Sequence, residues 1–235
     1  MLSTVDSTMA EAARRADDLA RPVWIMAQHQ TAARGRRGKA WVTPPGNLSV
    51  TYLYKPDCLA VDAAKRSFMA ANALFQTLSF FVEPAKLGLK WPNDVLLDGG
   101  KVAGILLESS SAGPWVDWLS IGIGVNLAYV PQGVTDAAFA PTSVKNAGGD
   151  TVTPEDFLTK LASAFATQEE ILRTLGFARV RQDWLQHAAR LGEEISAKIG
   201  DETVTGTFDT IDAEGNLVLI TAKGPRTIAA AEIHF

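Results

Sequence analysis

Cysteine is all but missing. Cys58 is the single thiol in 235 residues, so no internal disulfide can form and a reducing cytoplasm is the expected location. Histidine is nearly as sparse, and His29, His187 and His234 are scattered without metal-ligand spacing, so no protein-held metal is expected. No window approaches the roughly 18 apolar residues of a membrane span, and the opening MLSTVDSTMAEAARRADD has no apolar signal core. An excess of positive charge is absent too. With 22 basic against 26 acidic residues, the net charge of -4 argues against nucleic-acid binding over the whole surface, though a local basic patch must be judged separately. What remains is an ordinary globular composition, long enough for one large domain, or one domain with a small appendage.

Thr8-x-x-Glu11 is a capping-box signature and predicts a helix from Thr8 to Ala20. PVWIMAQH (Pro22 to His29) reads as a buried strand. QTAARGRRGKAWVTPPG (Gln30 to Gly46) is too rich in glycine, proline and charge for regular structure and long enough to be a functional loop. NLSVTYLY alternates like a strand, and Val61 to Val82 has helical apolar spacing with few charges, predicting a largely buried helix. Strands are expected at Leu87 to Trp91, on both sides of the Asp98-Gly99-Gly100 turn, and from Trp115 to Ala128. Thr153-Pro154-Glu155-Asp156 opens a helix that Gly176 should stop, and a shorter helix follows over Val180 to Ala189. From Gly192 short strands alternate with tight turns, predicting a small β-barrel too small to be stable without its neighbour.

In ARGRRGK (Ala33 to Lys39) four of seven residues are basic and two are glycine. Guanidinium forks suit phosphate and carboxylate oxygens, and glycine lets the backbone close over a ligand; a solvated basic turn or a nucleic-acid patch reads equally from the run alone. Lys90 and Lys101 flank a predicted hairpin, where strand ends can hold a fixed positive charge against a growing anion, or simply solvate two lysines. Asn93 and Asp94 are also good turn residues. GIGVN (Gly122 to Asn126) places glycine late in an apolar strand, as close approach by a ligand or another backbone would require. It lacks the third glycine and the helix of a dinucleotide fingerprint, and Gly99-Gly100-Lys101-Val102 lacks the remaining P-loop residues. Ser7 and Thr8 are good helix caps and Gln30 a polar strand end, but their hydroxyls and amide could also satisfy a cyclic urea.

Together DST (Asp6 to Thr8), QTAARGRRGKAW, GNLSVT, LKWPNDVLLDGGKVAGILLE, IGIGVN and the C-terminal strands resemble the biotin protein ligases, in the short form that begins at the catalytic domain. The resemblance implies an α+β fold: a mixed β-sheet with packed helices, class II synthetase-like, over residues 1–190, and a small SH3-like β-barrel over residues 191–235. It implies a cytoplasmic enzyme that joins biotin to ATP as biotinyl-5'-AMP and passes the biotinyl group to a lysine of a biotin carboxyl carrier domain. ATP brings Mg2+ with it, held mainly by the phosphates. Carried over residue by residue, Ser7, Thr8 and Gln30 read the ureido ring, and Arg34, Gly35 and Arg36 fold over biotin and the adenylate phosphate. Lys101 neutralises carboxylate and α-phosphate; Gly104, Gly122 and Gly124 leave room for the ligand; Trp41, Asn93 and Asn126 contact the nucleotide side. Asp94 orients or deprotonates the incoming lysine, so Lys101, Asp94 and Arg36 form the catalytic group. Two departures stand out: Met9 replaces the usual asparagine after Asp-Ser-Thr, and Ala33 the first glycine of the basic loop. With six residues before Ser7, no DNA-binding domain is expected. A homodimer stays open, no membrane contact is expected, and a lipoate or octanoate ligase of the same superfamily is the alternative reading.

Overall fold

Why the first helix is short is legible in its charges. In the computed structural model, which describes residues 1–132 and 139–235, α1 spans Thr8–Arg15 rather than reaching Ala20. Arg14 and Arg15 suit the negative end of its dipole, whereas Asp17 and Asp18 would oppose it, and the chain turns out after Ala16. Ser7 caps the start, its Oγ accepting from Ala10 N at 3.0 Å.

Around α1 the strands β1 (Leu2–Val5), β2 (Val23–Gln30), β3 (Leu48–Tyr54), β4 (Leu87–Lys90), β5 (Asp94–Leu97), β6 (Gly100–Ala112) and β7 (Trp115–Val125) form one mixed sheet in the order β1-β2-β3-β7-β6-β5-β4. Only β1 and β2 run parallel. Side chains alternate across such a sheet, and here the alternation divides core from site. Leu48 and Val50 of β3, with Ile121, Ile123 and Val125 of β7, join the main hydrophobic core. The intervening Ser49, Thr51, Gly122 and Gly124 lie on the opposite face; Ser49 pairs with Gly124 and Thr51 with Gly122. Farther along that face, Leu53 and Ile25 pack with Ala12 of α1 and Ala16 just past its end.

The core face is covered by α2 (Arg66–Leu78) and α3 (Pro154–Leu185). The single helix predicted from Val61 to Val82 is a 3-10 turn, Ala60–Lys65, followed by the shorter α2. Burial is as expected: Ala70, Ala73, Leu74 and Leu78 are all sealed. The buried cation of α2, Arg66, donates from Nε to Tyr54 Oη at 2.8 Å and lies 3.6 Å from Glu169. Thr153 caps α3 through Asp156 N at 3.1 Å. Gly176, at φ 75 and ψ 176, interrupts the helix where expected, but the second arm resumes at once and ends at Leu185 instead of Ala189.

A second sheet, β8 (Glu194–Ile199), β9 (Glu202–Ile211), β10 (Leu217–Thr221), β11 (Gly224–Ile228) and β12 (Glu232–His234), is antiparallel in the order β11-β10-β9-β8-β12. Phe208, Ile211, Leu217 and Leu219 belong to the same apolar cluster as α2 and α3. Trp91 Nε1 donates to Gly215 O at 3.0 Å, and Arg181 to Ile211 O at 3.1 Å. The small sheet therefore completes its burial against α3 and the turn that carries Trp91. Among the described residues no helix is long and apolar enough to cross a membrane.

Candidate functional site

On the glycine-bearing face lies a cavity of about 390 Å³. Its walls come from the start of α1, the end of β2, the basic loop, the β4–β5 turn, β6, β7 and the first residues of β12.

One end is hydroxyl and amide. Thr51 Oγ1 donates to Thr8 Oγ1 at 2.8 Å; Thr8 Oγ1 and Thr8 N both donate to Gln30 Oε1, at 3.2 and 2.8 Å. Because Gln30 Oε1 is committed to Thr8, its amide hydrogens are the end it presents outward. Ser7, accepting from Ala10 N, keeps a hydroxyl proton to donate. All three residues proposed to read a cyclic urea thus line one corner. Thr51, which the sequence reading passed over, orients them.

The glycines form the floor, but their clearance is in use. A Cβ on Gly122 would lie 2.6 Å from Met9 Sδ, one on Gly124 would lie 2.5 Å from Trp41 Cε2, and one on Gly104 would meet Trp41 Cζ3 and Lys101 Cε at 3.3 Å. Met9 therefore packs its thioether against the floor where an amide was expected. Ala33 strains nothing: the left-handed residue in the loop is Arg37, at φ 55, with Gly38 following at φ 72. Among the described residues Trp41 Nε1 and Ser49 Oγ are buried without hydrogen-bond partners, two orphaned polar atoms on this face. Ser49 was missed because it reads as an ordinary strand residue.

At the other end β4, β5 and β6 bring Lys90, Asp94 and Lys101 together. Asp94 Oδ1 is 2.6 Å from Lys101 Nζ and Oδ2 is 3.3 Å from Lys90 Nζ. Burial pushes the Asp94 carboxyl up, but Lys101 and Lys90 outweigh it and hold it below the usual carboxylate range. Burial lowers Lys90, only partly offset by Asp94. Arg36, lowered by burial, donates to Asn93 Oδ1 at 3.3 Å and faces the same cluster. The remaining assignments fare differently. Arg34 lines the cavity, but its guanidinium is engaged by Glu108, at 2.9 and 3.1 Å from the two carboxylate oxygens. Gly35 lines the cavity and pairs through its N–H with Lys39 O at 2.7 Å. Asn126 donates to Thr142 O at 2.9 Å and accepts from Asn47 at 3.4 Å, so its amide braces the scaffold. Asn93 likewise donates to Ile105 O at 2.5 Å. Glu232, 193 residues from Lys39, binds that lysine at 3.0 Å and brings β12 to the loop, a contact with no local sequence signal. No group of three or more His, Cys, Asp or Glu side chains that could hold a metal ion occurs among the described residues.

Comparison with known proteins agrees with this geometry. The profile of the Biotin/lipoate A/B protein ligase family matches residues 2–126, and that of the Biotin protein ligase C terminal domain matches residues 191–235. The chain is 49% identical over 238 residues to a biotin--[acetyl-CoA-carboxylase] ligase of Paracoccus denitrificans, covering 100% of this chain and 99% of that one. It is 30% identical to a Mycobacterium tuberculosis protein of the same name, over 97% and 83% of the two chains. A biotin protein ligase from Aquifex aeolicus, solved in complex with biotin and ATP, shares the fold with a TM-score of 0.77 at 24% identity, covering 99% of this chain and 95% of that one. The mixed sheet, its packed helices and the C-terminal SH3-like sheet are thus those of a known group, and the chain belongs to the biotin/lipoate A/B protein ligase family, in its biotin protein ligase branch.

Proposed function

We propose that the chain attaches biotin to a lysine of a biotin carboxyl carrier domain in the cytoplasm, using ATP and passing through biotinyl-5'-AMP. One observation carries the reading: a single cavity has a hydroxyl–amide corner at Ser7, Thr8 and Gln30, with Thr51 behind Thr8, a glycine floor, and a cationic end at Lys101 and Arg36. A ureido group offers one carbonyl and two N–H groups. Ser7 can donate to the carbonyl, while Thr8 and Gln30 complete the polar corner. A lipoyl ring would leave that corner with nothing to read.

In the first step a biotin carboxylate oxygen attacks the α-phosphorus of ATP, the bond to the β-phosphate breaks, and pyrophosphate leaves with the electron pair. Two anions must meet, and Lys101 and Arg36 offset their repulsion. Arg34 can join them by exchanging Glu108 for a phosphate. Mg2+ would arrive on the triphosphate, where it would neutralise phosphate charge. In the second step the carrier amine attacks the acyl carbon, the bond to AMP breaks with the electron pair leaving on the AMP phosphate oxygen, and the amine's proton passes to water. Asp94, held ionised by its lysines, is too weak a base to take that proton efficiently. Its role is to orient the amine and offset the positive charge growing on nitrogen. Trp41, lying on Gly124, and Asn93 would meet the nucleotide side, with Asn126 bracing the strand behind them. Residues 1–190 would carry the chemistry, and residues 191–235 would contribute Glu232 to the loop.

Incubation with biotin, MgATP and a biotin carboxyl carrier domain should yield a carrier heavier by one biotinyl group. An unmodified carrier would refute the reading, and lipoate displacing biotin at equal concentration would favour a lipoate ligase.

A further inference from the structure

Two lysines share one buried carboxylate, and they differ in freedom. Lys90 is at the end of β4, paired in register with Asp94. Its side chain is 6% exposed and its Nζ lies 4.7 Å from the centre of the Phe139 ring. Lys101 is 27% exposed, its Cε packs toward Gly104, and its Nζ stands 5.4 Å from the Trp41 ring at the cavity wall. Both line the cavity, but Lys101 has the room to turn to a ligand, whereas Lys90 is held between Asp94 and the Phe139 ring.

Were Lys101 the sole counter-ion, its departure would strand a carboxylate whose side chain is only 12% exposed, and an uncompensated buried charge is strongly unfavourable. Other charges near the cluster do not replace it. Arg36 feels the Asp94 charge from a distance but gives its hydrogen bond to Asn93, and Glu232 is itself an anion, engaged with Lys39 at 3.0 Å and Arg37 at 4.0 Å.

Resting on the biotin-ligase reading above, we propose that Lys90 is a positioning residue: it is the permanent counter-ion of Asp94, which frees Lys101, the exchangeable one, to move onto the substrate carboxylate. The cluster is then a charge hand-off. Ligand binding swaps one carboxylate for another at Lys101, and Asp94 never loses its last cation.

The test is binding of biotin and of its neutral carboxamide to Lys90→Met, Lys90→Arg, and the double variant Lys90→Met with Asp94→Asn, each checked for folding by circular dichroism. Lys90→Met should weaken biotin by roughly 10²-fold and leave the carboxamide little changed. Lys90→Arg should restore biotin binding. The double variant should also restore it, because no Asp94 carboxylate then holds Lys101 back. Equal losses for acid and amide would overturn the proposal, as would a Lys90→Arg variant no better than Lys90→Met, or a double variant weaker for biotin than Lys90→Met. Should Lys90→Met not fold, Lys90→Gln, a neutral donor, gives the same comparison. Wild-type protein that neither binds biotin nor modifies the carrier would overturn the functional reading as well; an active wild type with equal acid and amide losses would overturn the role of Lys90 alone.

Discussion

Asp94→Asn removes the carboxylate that two lysines share and should be felt in stability before it is felt in chemistry. At 2.6 and 3.3 Å, the two attractions are roughly 6 and 5 kcal/mol at an effective dielectric near 20. Most of this is offset by the desolvation of three charges, so the sum is not the effect of the mutation. Removing one partner of a buried pair costs about 3–5 kcal/mol. Asparagine can still accept from one lysine and Lys101 can turn to water, which puts the loss near the lower end, about 3 kcal/mol. For a chain of this length that is a fall in Tm of roughly 6–12 °C. The pH dependence adds a second check. Asp94 is held below its usual range, so its contribution is fully present above about pH 4, the unfolded value, and is lost as pH falls through the folded value. Scanning calorimetry of both proteins from pH 8 downward should show a Tm gap that is flat to about pH 4 and closes below it. A gap under about 2 °C at pH 7, or one that widens on acidification, would refute the reasoning.

Four further outcomes are expected. Lys101→Ala should slow pyrophosphate release by about 10²-fold or more; a normal rate would remove Lys101 from the first step. Thr8→Val takes one donor from Gln30 and the acceptor from Thr51, and should weaken biotin by about 1–3 kcal/mol while sparing ATP, as isothermal titration would show. Gly124→Ala forces the Trp41 indole off the sheet, and overpacking of this kind costs roughly 1–3 kcal/mol; an unchanged melt and unchanged tryptophan emission would contradict the packing. Trypsin should cut between Arg34 and Lys39 in the free protein and more slowly with biotin and ATP, since ligand phosphates would order the loop; equal rates would argue against closure.

The break at Gly176 and the cap at Thr153 were readable because backbone conformation and capping depend on neighbours in sequence. The early end of α1 was equally local, although only the chain path showed that Asp17 and Asp18 lie beyond it. The glycines of β7 announced a close approach, but not that Met9 and Trp41 occupy it. Lys90 and Lys101 were visible as strand-end lysines; their common partner was not.

By itself the sequence determined the alternation that sends Val50 and Ile123 inward and Thr51 and Gly122 to the site, because side-chain direction in a strand follows from position alone. It also fixed the motif set that marks the family. Only the tertiary structure decided which charges meet: Asp94 with both lysines, Arg34 with Glu108, Lys39 with Glu232. Those pairings join segments from 4 to 193 residues apart, and an ion pair depends on distance in space and on how much water is excluded, quantities that no local stretch of chain contains.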